Sequence, residues 1–296
     1  MRAVQVTRFG GPEALVCADV EKPVPISTEV LVRVVAAGVN PVDGKTRRGE
    51  GVARWVGPPP FIPGWDVCGV VEATGYGVTR FKQGDLVYGM PRFPRAAGAY
   101  AEYVAAPSRQ FACIPKGISA TVAAALPLAA LTAWQCLVDT ANIRSGQTVL
   151  VHGAGGGVGH LAVQLANALG ARVVTTGRDD REALKMRDAD VAVDLVGGAD
   201  TRALIGSIRD DGLLLAVADG AGDEARADAE RRGVRVQEPL VEPDGHALEE
   251  IARLVESGAL KVIVAETFPL DRARAAHERL ERGGVRGKLV LEVGGD

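Results

Sequence analysis

A glycine-rich loop at residues 153–159 constrains the fold of this chain more than any other feature of its sequence. The loop follows the apolar stretch QTVLVHG, which is typical of a buried parallel strand. It precedes a segment with apolar residues at helical spacing: Val158, Leu161, Ala162, Leu165 and Leu169. The order strand, glycine loop, helix predicts a dinucleotide-binding domain built on a doubly wound parallel sheet.

The spacing within this loop follows the G-x-G-x-x-G pattern, with Ala154 at the first glycine position. Gly156 and Gly157 let the backbone approach a pyrophosphate, and Gly159 lets the helix pack close to the sheet. The helix start would offer its unpaired N–H groups to the phosphates. Glycine-rich loops also occur as tight turns that bind no ligand. The interpretation as a cofactor site therefore depends on the strand and the helix that flank the loop.

A second strand, ARVVTTG, ends at Gly177 and Arg178, 19 residues after Gly159. An acid at this point would bind the ribose 2′-hydroxyl of NAD, whereas an arginine can bind the 2′-phosphate of NADP. The sequence therefore favours NADPH as the cofactor. The alternative is a solvated arginine at a strand end, neutralised by Asp179 and Asp180.

Outside this domain the chain has a different residue pattern. The first 115 residues read as short strands cut by Gly, Pro and Asn, which indicates a β-barrel or sandwich, and residues 49–63 are expected to be an irregular loop. The last 26 residues read as a helix, a Gly-rich turn and a strand that could return to the first domain.

Composition excludes several classes of function. A net charge of −3 without a clustered basic face argues against nucleic-acid binding. No apolar run reaches the roughly 18 residues that cross a bilayer, and the N-terminus lacks a signal-peptide pattern, so we expect a cytoplasmic protein without a membrane partner. The four cysteines lie far apart, which argues against a clustered zinc site or a disulfide framework.

Seven segments occur in the order found in one known family: GVNPVD, PGWDVCGVV, GDLVYG, GAYAEYV, LTAW, GQTVLVHGAGGGVG and GKLVLEV. Through them the chain resembles the zinc-independent quinone oxidoreductase and enoyl reductase branch of the medium-chain dehydrogenase/reductase superfamily. The resemblance implies an α/β protein with a GroES-like β-barrel domain and a Rossmann domain. The GroES-like catalytic and substrate domain is expected at residues 1–118 and 266–296, and the Rossmann NADP-binding domain at residues 119–265.

The activity implied by this resemblance is NADPH-dependent reduction of a quinone, or of the C=C bond of an α,β-unsaturated carbonyl, by hydride transfer. The substrate would be a small molecule. Asn40 stands where zinc-dependent relatives place a cysteine, and Trp65 and Asp66 stand near their His-Glu pair, so no metal site is expected. Relatives commonly form dimers through the edge strand of the Rossmann sheet, which makes a homodimer the expectation and residues 233–239 a candidate edge, although an internal strand fits that stretch equally well.

The resemblance also implies roles for individual residues. Asn40 and Lys45 are the candidate catalytic residues, since a lysine at this position could stabilise the enolate that forms on hydride addition. The candidate cofactor-binding residues are Asn40, Thr132, Ala154, Gly156, Gly157, Val158, Gly177, Arg178, Phe268 and Lys288. Trp65 and Tyr88 are candidate walls of the substrate pocket. Alternatives remain open, because Asn40 could be only a turn residue, Lys45 a solvated loop lysine and Phe268 part of the core.

One segment departs from the family pattern. After VVTTGR the chain passes through REALKMRDA almost directly to DVAVDLVGG, so one βα unit of the Rossmann domain is absent and the sheet should be one strand narrower. A trimmed cofactor site leaves two alternatives to a reductase. One is recruitment to a non-redox biosynthetic step, a cyclisation or an elimination; the other is a non-enzymatic binding paralogue.

Overall fold

The computed structural model describes residues 1–177 and 186–294. Internal contacts divide the chain into two compact units. The first comprises residues 1–131, 242–258 and 262–296, and the second comprises residues 132–241 and 259–261. The domain boundaries expected from the sequence, near residues 118 and 266, stay a prediction.

The secondary structure elements alternate between these two units along the chain. The strands are β1 (Arg2–Val6), β2 (Leu15–Asp19), β3 (Glu29–Val39), β4 (Asp66–Thr74), β5 (Leu86–Gly89), β6 (Tyr103–Pro107), β7 (Phe111–Cys113), β8 (Thr148–His152), β9 (Arg172–Thr176), β10 (Ala189–Asp194), β11 (Ile208–Ala216), β12 (Arg235–Gln237), β13 (Val264–Pro269) and β14 (Lys288–Glu292). The helices are α1 (Pro41–Arg47), α2 (Ala53–Val56), α3 (Ala120–Ala124), α4 (Pro127–Trp134), α5 (Gly159–Ala168), α6 (Asp200–Ser207), α7 (Asp223–Arg231), α8 (Gly245–Glu256) and α9 (Ala273–Glu281). A π-helical turn, Gln135–Thr140, continues α4.

The first unit is built around a largely antiparallel sheet with strand order β13-β14-β3-β4-β5-β7, in which β6 also pairs with β3. The long strand β3 is buried on both faces, and four of its valines belong to the hydrophobic core of this unit: Val30, Val32, Val34 and Val39. The C-terminal strand β14 pairs with β3, as the sequence suggested for the end of the chain. This α/β architecture with a GroES-like unit confirms the predicted fold class.

Two short helices in this unit were not expected from the sequence. Helix α1 begins directly after Asn40, and Pro41 occupies its first turn, where a proline's missing N–H removes no helical hydrogen bond. Helix α2 is a single turn within residues 49–63, so the prediction that this whole stretch is irregular was wrong. Helices this short depend on tertiary packing, and apolar periodicity cannot reveal them.

The second unit contains a parallel five-stranded sheet with order β12-β11-β10-β8-β9. Helix α5 ends at Ala168, and Gly170, the residue after the C-cap Leu169, adopts φ +79°. Among the described residues, β9 pairs only with β8, in agreement with a sheet one strand narrower than usual. Likewise, β12 pairs only with β11 among the described residues, so residues 233–239 contain an edge strand rather than an internal one. None of the described helices is both long and apolar enough to cross a membrane.

Candidate functional site

Three polar side chains meet at one end of the first unit's large sheet, although they are far apart in the sequence. Asp66 begins β4 opposite Gly38, and Lys288 begins β14 one position before the pair formed by Leu289 and Val39. Asn40 follows Val39 directly. Antiparallel pairing on both sides of β3 therefore brings Asn40, Asp66 and Lys288 together.

These three side chains form a closed set of hydrogen bonds. Lys288 Nζ donates to Asn40 Oδ1 and, at 3.2 Å, to Asp66 Oδ2. Asn40 Nδ2 donates to the same Asp66 oxygen at 2.9 Å, and the main-chain N–H of Leu128 donates to Asp66 Oδ1 at 2.6 Å. The exposed fractions are 2% for Asn40, 0% for Asp66 and 3% for Lys288. A buried ion pair of this kind is tolerated because each charge is compensated by hydrogen bonds.

Gly38 makes room for this arrangement. A Cβ at position 38 would lie 2.6 Å from Asp66 Oδ2 and 2.5 Å from the main-chain oxygen of Ala124. Real Cβ atoms do not approach other atoms this closely, so any larger residue would displace the Asp66 carboxylate. The glycine of the segment GVNPVD is thus required by the site itself.

Asp43 fixes the main chain at Asn40. Its carboxylate accepts a hydrogen bond from the main-chain N–H of Asn40 at 2.8 Å, as in the capping of a helix N-terminus. Burial raises the pKa of Asp43 to about 7, while the hydrogen bonds from Asn40 and from the Tyr100 hydroxyl oppose this rise. Asp43 therefore titrates near neutral pH, three residues from Asn40.

The glycine loop of the second unit joins the carboxyl end of β8 to the start of α5. A Cβ at Gly159 would lie 2.1 Å from the main-chain oxygen of Gly153, so the helix can begin this close to the loop only with a glycine there. At Gly155, which is exposed, a Cβ would meet nothing within 4 Å. The loop thus leaves open space at Gly155, which fits the close approach of a phosphate-bearing cofactor.

The end of β9 lies next to this loop. The main-chain N–H of Gly153 donates to the oxygen of Thr176 at 2.9 Å, and Gly177 follows Thr176 at the surface. Five of the predicted cofactor-binding residues therefore lie along the carboxyl ends of two adjacent strands: Ala154, Gly156, Gly157, Val158 and Gly177. Arg178, predicted to bind the 2′-phosphate, lies outside the described residues.

The other predicted site residues have distinct surroundings. Lys45 is half-buried on α1, five residues after Asn40, and Thr132 is buried on α4. Phe268 is half-buried against the hydrophobic core of the first unit. Trp65 and Tyr88 are fully buried. The roles assigned to these five residues from the sequence stay predictions.

The polar atoms of Trp65 and Tyr88 already have partners within the first unit. Trp65 Nε1 donates to the main-chain oxygen of Arg95 at 2.7 Å, and its ring packs edge-on against Phe93. The Tyr88 hydroxyl donates to the main-chain oxygen of Leu248 at 2.6 Å. Each ring therefore also contributes to the packing of the unit.

Sequence reasoning overlooked three polar residues of this site: Asp43, Tyr100 and His277. All three are buried, and Tyr100 is hydrogen-bonded to both Asp43 and His277. A signal for Asp43 was present, because Asn40 and Asp43 have the spacing of a helix-capping pair. Tyr100 and His277 carried no such signal, since only the tertiary structure brings them to Asp43.

The described residues include no cluster of side chains that could hold a metal ion. Within residues 1–177 and 186–294, no three His, Cys, Asp or Glu side chains lie close enough together to hold a metal ion. At the position where zinc-dependent relatives carry ligands, the Lys288 ammonium lies against both Asn40 and Asp66.

Comparison with known proteins agrees with this architecture. Residues 27–116 match the alcohol dehydrogenase GroES-like domain family, and residues 169–291 match the zinc-binding dehydrogenase family. A 2-methylene-furan-3-one reductase from Solanum lycopersicum is 34% identical over 98% of this chain and 79% of its own length.

Solved structures extend the similarity to the whole fold. The quinone oxidoreductase from Coxiella burnetii superposes with a TM-score of 0.89 at 32% identity, covering 99% of both chains. The Escherichia coli quinone oxidoreductase, solved as a complex with NADPH, gives a TM-score of 0.86 at 28% identity and covers 99% of this chain and all of its own. The chain belongs to the zinc-independent quinone oxidoreductase and enoyl reductase branch of the medium-chain dehydrogenase/reductase superfamily, a family of oxidoreductases.

Proposed function

We propose that this protein is an NADPH-dependent oxidoreductase that reduces a quinone, or the C=C bond of an α,β-unsaturated carbonyl, by hydride transfer and without zinc. The observation that carries the proposal is the open glycine loop at the start of α5, whose geometry suits the pyrophosphate of a dinucleotide. The names of the relatives support the substrate classes, and the NADPH complex of the Escherichia coli enzyme supports the cofactor.

NADPH would supply the hydride. The loop residues would hold its pyrophosphate, with Gly156 and Gly157 allowing close backbone approach and the N-terminus of α5 facing the phosphates. Arg178 would form charge-assisted hydrogen bonds with the 2′-phosphate. These contacts orient a reactant, and orientation is a large part of what a hydride-transfer site has to provide.

Asn40 would act as a hydrogen-bond donor in this site. Lys288 donates to the Asn40 side-chain oxygen, which fixes the amide so that Nδ2 faces Asp66. Nδ2 carries a second N–H that can donate to a ribose hydroxyl or to a substrate oxygen. Lys45, on the helix that Asn40 begins, would stabilise negative charge that develops on that oxygen.

The donor set around Asn40 supports chemistry without zinc. Zinc sites in proteins are built from Cys, His and carboxylate ligands. Here an amide replaces the thiolate, and the buried Lys288 ammonium compensates the Asp66 charge through a direct hydrogen bond. A divalent cation at this position would have to displace or face that ammonium group.

Cofactor titration tests the proposal. Binding of NADPH and NADH is measured by fluorescence for the wild type, Arg178→Ala and Arg144→Ala, the last changing an exposed arginine of the second unit. We expect tighter binding of NADPH than of NADH, a loss of about tenfold or more in NADPH affinity for Arg178→Ala only, and no change for Arg144→Ala. A second assay follows NADPH oxidation with benzoquinone and with methyl vinyl ketone.

Two results would overturn the proposal. If neither cofactor binds at high micromolar concentration, the site does not serve a nicotinamide dinucleotide. If NADPH binds but neither acceptor nor related enones and quinones are reduced, the reductase assignment fails, and conversion of a substrate without NADPH would favour the non-redox alternative.

A further inference from the structure

A line of buried polar side chains runs from Asn40 through the interior of the first unit. Asp43 Oδ2 accepts from the main-chain N–H of Asn40 and from the Tyr100 hydroxyl, both at 2.8 Å. The Tyr100 oxygen lies 3.1 Å from His277 Nε2, and His277 Nδ1 lies 3.0 Å from Arg47 Nη1. These contacts connect five residues in one hydrogen-bonded series: Asn40, Asp43, Tyr100, His277 and Arg47.

The direction of every hydrogen bond in this series follows from Arg47. A guanidinium can only donate, so His277 Nδ1 accepts and Nε2 carries the proton of the neutral ring. Nε2 therefore donates to the Tyr100 oxygen, which leaves the single hydroxyl proton of Tyr100 for Asp43. The series is polarised throughout, with donors pointing toward the Asp43 carboxylate.

Arg47 is itself held rigidly at the start of the series. Its side chain is completely buried, Nε donates to the main-chain oxygen of Gly10 at 3.0 Å, and Nη2 donates to Glu281 Oε1 at 2.5 Å. Burial, together with the positive charges of Arg47 and Arg48, lowers the pKa of His277 to about 3. His277 is thus neutral over the physiological range, as the hydrogen-bond directions require.

Asp43 is the residue of this series whose protonation state changes with pH. The carboxylate is fully buried, and its Oδ1 has no hydrogen-bond partner among the described residues. The nearby charge of Asp66 disfavours its ionisation, and Lys288 favours it. Against burial, the carboxylate depends on the donors at Oδ2, one from Asn40 and one from Tyr100, because hydrogen bonds to a charged group stabilise that charged form.

We propose that Tyr100, oriented by His277 and Arg47, is a positioning residue that favours the ionised form of Asp43, and that the ionised Asp43 anchors the main chain of Asn40 in its active position. The link to catalysis rests on the proposed function, in which Asn40 contacts cofactor or substrate. Protonation of Asp43 weakens the bond from the Asn40 N–H, because a carboxylate is a stronger acceptor than a carboxylic acid. Activity should then rise as Asp43 ionises.

The same series does not serve as a route for protons from the surface. Arg47 separates His277 from the partly exposed Glu281, and an arginine does not lose its proton in proteins. The series ends at the permanent positive charge of Arg47. This arrangement can orient the Tyr100 hydroxyl but cannot pass a proton along.

The first test compares pH profiles of kcat/KM for the wild type, Tyr100→Phe, His277→Gln and Tyr103→Phe. Removal of the Tyr100 hydroxyl should move the ascending limb up by about one pH unit, with about tenfold lower kcat/KM below the wild-type midpoint and recovery at high pH. A glutamine at 277 can accept from Arg47 and donate to Tyr100, so His277→Gln should keep a profile close to wild type. Tyr103→Phe, a tyrosine whose ring contacts Lys22, is the matched control and should not shift the profile.

A loss in Tyr100→Phe that is equal at all pH values would overturn the proposal, since a purely structural role gives a uniform loss. An unchanged profile would overturn it as well.

A second readout needs neither cofactor nor substrate. The urea midpoint of unfolding is measured against pH for wild type, Tyr100→Phe and Tyr103→Phe. Because buried Asp43 keeps a proton that the unfolded chain has released, the midpoint falls as pH rises until Asp43 ionises in the folded protein. The pH at which this decline ends should move up by about one unit in Tyr100→Phe alone. If the wild type reduces no acceptor but this shift is seen, the proposed function fails while the hydrogen-bonded series stands; if the shift is missing, the positioning role of Tyr100 fails whatever the activity.

Discussion

The ammonium group of Lys288 donates a hydrogen bond to the side-chain oxygen of Asn40, a residue 248 positions earlier in the chain. Both side chains are buried, and the same ammonium bonds to Asp66. The last strand of the chain therefore completes the polar cluster that the first long strand begins.

Replacement of Lys288 should be costly because it leaves a buried carboxylate without its counter-charge. We expect Lys288→Met to lower the free energy of unfolding by about 3–5 kcal/mol, the range found when one partner of a buried pair is removed. Lys288→Met combined with Asp66→Asn should lose less than the sum of the two single variants. Urea unfolding of the four proteins measures this coupling, and simple additivity would contradict it. Lys22→Met, which breaks an exposed pair with Glu72, is the control and should change little.

Asp43 should give the protein an unusual dependence of stability on pH. Its pKa rises from the ordinary 3.8 to about 7 in the folded protein, so between these values the folded state holds a proton that the unfolded state has released. Stability from this group is present at low pH and falls as pH rises toward 7, by about 1.4 kcal/mol per pH unit, and is constant above that. Asp43→Asn should remove this decline, so the difference in unfolding free energy between wild type and variant should change between pH 4 and 7. A constant difference across that range would show that Asp43 is ionised throughout.

Two glycines of the loop before α5 should respond differently to the same substitution. Gly159→Ala places a Cβ 2.1 Å from the main-chain oxygen of Gly153, so we expect a loss of about 1–3 kcal/mol in unfolding free energy. Gly155→Ala meets no atom within 4 Å and should leave folding intact while weakening NADPH binding, because a methyl group would enter the space beside the phosphates. Thermal unfolding and cofactor titration separate the two effects. Unchanged NADPH affinity in Gly155→Ala would argue that the pyrophosphate does not approach this part of the loop.

His152, the last residue of β8, should tolerate an apolar replacement unusually well for a fully buried residue. Neither ring nitrogen has a hydrogen-bond partner among the described residues, and the distance from Nε2 to Asp200 Oδ2 is 3.9 Å. Exchanging an unpaired buried polar group for an apolar one of similar size is close to neutral or stabilising. We therefore expect His152→Leu to change the unfolding free energy by less than about 1 kcal/mol. His160→Leu, which removes a ring whose Nδ1 lies 2.9 Å from the main-chain oxygen of Gly156, is the comparison and should lose stability. A larger loss in His152→Leu than in His160→Leu would contradict the prediction.

The predictions from sequence were most accurate where the structural cause is local. The strand stretch EVLVRVVAAGV coincides with β3, and the helix after the glycine loop, with its terminal Gly170, is α5. Periodicity, caps and glycine φ values depend on neighbouring residues, so contiguous sequence is enough to read them. The short helices α1 and α2 were missed because one or two turns hold too few residues for a period to be visible.

The fold class and the glycine loop with its strand and helix could be read from the sequence alone, and the ordered motifs from GVNPVD to GKLVLEV indicated the family. The polar interior of the first unit, in contrast, became visible only once the strands were paired and the helices packed. Asp66 and Lys288 meet Asn40 because β4 and β14 flank β3 in a particular register, and Tyr100, His277 and Arg47 meet Asp43 because strands and helices distant in the chain pack together. Burial raises the pKa of Asp43, and the donor-only guanidinium of Arg47 sets the direction of the hydrogen bonds from His277 and Tyr100. Both depend on the packed chain, which no local stretch of sequence contains.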